Sequence, residues 1–153
     1  MKKLIILLLF IPLISFGQVT YKDVISISST EMFKKVMIEN EFEYMEGDWY
    51  STEDILVYGQ LVFRDDDGKI TGSDNLAYYL KKGNRFNFQF LNSIFGKDEY
   101  SLIYDKVKEE CKFYKIINFK ENDYACYSCP DSSVGKIGFN RVDGIGMILN
   151  FRE

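Results

Sequence analysis

The strongest constraint on the fold is the order in which two kinds of hydrophobic spacing follow each other along the chain. Met32, Phe33, Val36 and Met37 recur at helical spacing, and so do Tyr100, Ile103, Tyr104, Val107 and Cys111. Each stripe is followed by short runs rich in Val, Ile, Tyr and Phe, the residues that suit a pleated surface. Ile55–Arg64, Leu76–Leu80 and Arg85–Leu91 follow the first stripe. Phe113–Phe119, Tyr124–Cys129, Lys136–Arg141 and Ile145–Phe151 follow the second. Phe86, Phe88 and Phe90 alternate with Asn87 and Gln89, so that strand should bury one face and wet the other.

Local signals punctuate this pattern. Asp66-Asp67-Gly68 and Gly83-Asn84 read as hairpin turns. Ser28 and Glu31 have capping-box spacing, which predicts a first helix over about Ser29–Asn40. Asp98 and Glu99 place negative charge where the second helix begins, which its dipole favours.

The expected class is therefore α+β, with two helix-then-antiparallel-strands units sharing one core. Neither half could bury its helix stripe and its sheet alone. A shift of 71 lays Phe33-Lys34-Lys35-Val36 on Tyr104-Asp105-Lys106-Val107, Glu39 on Glu110 and Phe42 on Phe113. That correspondence suggests a tandem repeat, with halves 18–95 and 96–153. The alternative is a single curved antiparallel sheet wrapped on its helices, as in cystatin-like folds. In element order alone, the layout is similar to the tandem helix-plus-sheet architecture of secreted β-lactamase-inhibitor proteins. The resemblance implies inhibition of an extracellular enzyme as one function to consider.

Residues 1–17 have a different character. Lys2 and Lys3 precede an apolar run, Leu4 to Phe16, broken only by Pro12 and Ser15, and Ser15 and Gly17 are small residues before Gln18. This is the layout of a secretory signal peptide cut between Gly17 and Gln18. It predicts a periplasmic or secreted protein of one α+β domain, residues 18–153. The apolar run is too short to span a bilayer, so no stable membrane anchor is expected.

Composition narrows the chemistry. Without Lys2 and Lys3, 17 of the 19 basic side chains remain against 23 acidic ones, a net charge of −6 with no basic stripe. Nucleic-acid binding needs a concentrated positive surface and is set aside. The chain has no histidine. Proton transfer near neutral pH therefore loses its most suitable side chain, and a zinc site loses its commonest nitrogen ligand. No cofactor is expected, and the chain reads as a non-enzymatic binding or interaction module.

Three residue groups remain as candidate sites. Cys111, Cys126 and Cys129 should contain one disulfide in an exported protein. A hairpin of Phe113–Phe119 with Tyr124–Cys129 would return Cys129 to Cys111, and Cys111–Cys129 is the expected bridge. The enzyme alternative is a thiol–disulfide redox pair at Cys126 and Cys129, which would need an exposed, low-pKa thiol. Trp49, Tyr50, Tyr78 and Tyr79 could contact a protein or glycan partner. Asp65, Asp67, Gly68 and Asp74 approach calcium-loop spacing, but Phe63 holds the first ligand position and a charged turn is expected instead.

Overall fold

The computed structural model describes residues 17–47, 51–91 and 98–152. The body of the expected signal peptide lies outside the described residues, as do Trp49 and Tyr50. Helices α1 (Tyr21–Ser26) and α2 (Thr30–Glu39) precede strands β1 (Glu43–Tyr44), β2 (Ile55–Arg64), β3 (Ile70–Leu80) and β4 (Arg85–Leu91). Helix α3 (Glu99–Glu110) then leads into β5 (Lys112–Phe119), β6 (Asn122–Ser128), β7 (Lys136–Val142) and β8 (Ile145–Phe151). All eight strands form one antiparallel sheet in the order β1-β2-β3-β4-β8-β7-β6-β5. The protein is mostly β with a few helices, and the first and last groups of four strands meet where β4 pairs with β8.

Helix starts follow from local chemistry. Ser29, not Ser28, caps α2, its hydroxyl accepting from Met32 N–H at 3.3 Å. The capping box lies earlier, at Thr20 and Asp23: the Asp23 carboxylate accepts from Thr20 N–H at 2.8 Å, and the Thr20 hydroxyl accepts from Asp23 N–H. It opens α1, a six-residue helix that periodicity does not reveal because it is under two turns long. At the end of α2, Phe42 N–H bonds the Met37 carbonyl and Glu41 N–H bonds that of Ile38, with Glu41 in the left-handed region at φ 60°. Asp98 caps α3 through Ser101 N–H at 2.7 Å, and its second oxygen meets Arg141 of β7 at 2.8 Å.

The core lies between the three helices and one face of the sheet. Phe33, Val36 and Met37 of α2, with Tyr100, Ile103 and Val107 of α3, pack on Tyr58, Ala77, Tyr79, Phe86, Phe88, Phe90, Ile137, Phe139 and Ile148. Phe88 contacts Phe33, Phe86 and Phe90, with ring centroids 5.5–6.3 Å apart. Gly146 lets α3 approach β8 closely, since a Cβ there would lie 2.4 Å from the Tyr100 ring. One core cluster takes residues from both sets of strands, so the expected sharing of a core is what the molecule has.

The turns agree with their chemistry. The Asp65 carboxylate accepts from Asp67 N–H and Lys69 N–H at 3.1 and 2.8 Å, and Gly68 follows with φ 78°. These bonds make the aspartate run a hairpin turn between β2 and β3. β7 and β8 are joined by Asp143-Gly144, both at positive φ, the two-residue connection that matches strand twist.

Candidate functional site

Strand alternation defines a second face of the sheet, turned away from the helices. Register aligns Val57, Tyr78, Asn87, Leu149, Gly138, Cys126 and Lys115 across β2, β3, β4, β8, β7, β6 and β5. A parallel row runs Leu76, Gln89, Met147 and Asn140. Both margins of this face are closed. Met45 packs against Gly59 beside buried Val57 at one margin, where a Cβ on Gly59 would meet the Met45 sulfur at 2.8 Å. At the other, the Phe151 ring contacts Tyr124 and Phe119 and lies over Gly138. Between the margins, Leu76, Tyr78, Asn87, Gln89, Met147, Leu149 and Asn140 are half-buried. This strip carries no charged side chain, in a protein that is 27% charged.

Tyr78 and Tyr79 part company here. Tyr78 belongs to the helix-free strip. Tyr79 is 1% exposed beneath α2, stacked on Phe33 with its hydroxyl donating to Asn84 Oδ1 at 2.9 Å. Two adjacent residues of a strand must point to opposite faces, and the helices cover the face that Tyr79 takes. Tyr79 is therefore a core residue rather than a surface contact.

Cys111 and Cys129 form a disulfide that ties the end of α3 to the segment after β6. Register explains the pairing: Lys112 sits opposite Ser128, which brings the next residue outward on each strand together. Cys126 is on the other face of β6 and is 0% exposed, its thiol donating to the Tyr124 carbonyl at 3.5 Å. Burial pushes that thiol up to about 11. A redox pair needs an accessible thiolate, whereas here one cysteine is sealed and the other is bonded elsewhere. Cys126 should label with iodoacetamide about 100-fold more slowly in the native protein than in urea at pH 8, given its thiolate fraction alone. Fast native labelling, followed by mass spectrometry, would show that Cys126 is open.

A polar cluster that sequence reading missed lies beside the start of α3. Glu99, partly buried, accepts from Val19 N–H and from Asn75 Nδ2 at 3.4 Å. Asn75 Nδ2 also donates to Gln60 Oε1 at 2.9 Å, and Gln60 Nε2 donates to the Gly17 and Asn40 carbonyls at 2.6 and 3.0 Å. Burial raises the Glu99 carboxyl to about 7, and the Asp23 carboxylate adds to the effect while the Val19 bond opposes it. A groove of about 380 Å³ opens next to it, lined by Gln18–Lys22, Glu99, Leu102, Ile103 and Lys106. Neighbouring Asp98 is held below the usual carboxylate range, because hydrogen bonds from Ser101 and Arg141 outweigh the effect of its burial. The only sequence trace of the cluster was the acidic pair at a helix start.

No three His, Cys, Asp or Glu side chains among the described residues are placed to hold a metal ion. No helix among them is long and apolar enough to cross a membrane. Compared with protein-family models, curated proteins and solved structures, the chain matches none of them.

Proposed function

We propose that this is an exported, non-enzymatic interaction module that receives a protein partner on the helix-free face of its sheet. The observation that carries the reading is the uncharged strip of Tyr78, Asn87, Gln89, Met147 and Leu149 across the middle of that face. Interface centres are depleted of charge and enriched in aromatic residues and Met. The strip has that composition, whereas a glycan site would want more stacking rings than Tyr78, the one ring in the strip among the described residues. The helices among the described residues pack on the opposite face.

Export is supported by the leader pattern of residues 1–17 and by a disulfide, which suits an oxidising compartment. The two halves of the chain correspond as a tandem repeat would. Strand order is mirrored about the β4–β8 pair, and the shift of 71 superimposes two buried valines, Val36 and Val107. On element order alone, inhibition of an extracellular enzyme is one form of the interaction to test.

The test is photo-crosslinking of the exported protein in its own cells, with a benzophenone residue at Gln89 or, as control, at exposed Lys34 on α2. A specific adduct from position 89 alone is expected, weakened about 10-fold by Tyr78→Ala if Tyr78 is an anchor. Equal adducts from both positions, or none from position 89, would overturn the assignment of this face.

A further inference from the structure

The segment before α1 crosses the polar cluster, and the Gly17–Gln18 peptide bond lies between its two main side chains. On one side, Gln60 Nε2 donates to the Gly17 carbonyl at 2.6 Å. On the other, Glu99 holds Val19 N–H. The sequence places the export cut at this same bond. Hydrolysis by a leader-removing endopeptidase adds water across the amide, leaving a carboxylate on Gly17 and an α-ammonium on Gln18. That cation is then one residue, about 3.8 Å of chain, from the nitrogen Glu99 already binds.

We propose that the α-ammonium freed at Gln18 is the counter-ion of Glu99, and that this pair locks the N-terminal segment onto the fold after export. Glu99 lacks any other cation among the described residues that face it. Lys106, along the groove, is engaged by Glu109 and Glu110 at 3.2 and 2.8 Å. Lys22 of α1 lies toward Glu110, whose carboxyl it helps to lower. Asp23 of α1 is an anion, and Gln60 of β2, Asn75 of β3 and Asn40 at the end of α2 are neutral. A carboxylate removed from water without a positive partner is costly, and a released terminus supplies one. The pair also has an off-switch. Attack of the Gln18 amine on its own side-chain amide expels ammonia and leaves a neutral pyroglutamate lactam, which cannot pair.

The lock rests on the export reading, and its test separates the two. Intact mass of the exported protein reads the cut. Three forms are then unfolded in urea from pH 4 to 8: free Gln18, the same protein cyclised by glutaminyl cyclase, and a form retaining Gly17 with its amine acetylated. In the last two, Glu99 binds a proton more tightly folded than unfolded. Its contribution is therefore full below pH 4.5 and is lost as pH rises through about 7. In the free form the ammonium removes that loss. At pH 7 its unfolding equilibrium constant should be at least 10-fold smaller than that of the cyclised form, and Glu99→Gln should erase the difference. The free-versus-cyclised comparison needs no substitution, so it stands even if Glu99→Gln fails to fold. A cut elsewhere would overturn the export site and the lock together. A cut at Gln18 with identical pH profiles for all three forms would overturn the lock alone.

Discussion

Phe88→Ala is expected to remove about 3–5 kcal/mol of stability, the usual cost of truncating a fully buried phenylalanine. Phe88 sits on β4, at the middle of the sheet, with 0% exposure. It pairs with Ala77 on β3 and Ile148 on β8, and its ring touches Phe33 of α2. The substitution loses the transfer energy of the ring and leaves a cavity. Neighbouring Phe86 and Phe90, held in strand register, cannot collapse far into it. A small domain has about 5–15 kcal/mol in total, so the variant should sit near the edge of folding. Urea unfolding followed by tyrosine fluorescence measures this. Ile38→Ala, at a position 69% exposed on α2, is the control and should stay within about 0.5 kcal/mol. A Phe88→Ala midpoint no lower than that of Ile38→Ala would mean the β4–β8 seam is not the centre of the core.

Removing the disulfide should cost about 3 kcal/mol, from the chain entropy regained when a loop of this size opens. The bridged cysteines are 18 residues apart and close the base of the β5–β6 hairpin against α3. Among the described residues β5 has β6 as its only neighbour in the sheet, and Phe113 and Ile116 on it are 58% and 55% exposed, so the strand buries little apolar surface of its own. The bridge therefore does for this edge what burial does for β4. The double variant Cys111→Ala/Cys129→Ala should unfold at a lower urea midpoint, equal to that of the reduced native protein, and should not respond to added reductant. Hydrogen exchange should quicken first in β5. A variant as stable as the oxidised parent would show that the bridge is incidental to stability.

Much of the fold is legible from local pattern. The stripe Tyr100, Ile103, Val107 is the buried face of α3, and the alternation of Phe86, Phe88 and Phe90 is the buried face of β4. Asp66-Asp67-Gly68 and Gly83-Asn84 lie at turns between strands, and the Cys111–Cys129 bridge follows from hairpin register. What was missed was short or depended on distant partners. α1 has too few residues to show a period, although Thr20 and Asp23 announce it. β1 is two residues long and exists through its pairing with Tyr58 and Gly59 of β2. β3 starts at Ile70 rather than Leu76, because polar residues such as Ser73 and Asn75 are carried by pairing to β2.

The candidate surface was less legible than the scaffold. Alternation requires Tyr78 and Tyr79 to face opposite ways, but nothing local says which face the helices cover. Glu99 reads as an ordinary acidic residue at a helix start. Its burial comes from residues eighty positions earlier in the chain, laid across it.

The sequence by itself determined α2, α3, most of β2 to β8 and where most turns fall, since these depend on side-chain period and on backbone preferences within a few residues. Only the tertiary structure decided that the eight strands join into one sheet through β4 and β8, that Tyr79 is core while Tyr78 is surface, and that Glu99 meets the N-terminal segment. Those outcomes rest on contacts between residues far apart in the chain, whose energies come from shared burial and leave no periodic trace in either partner.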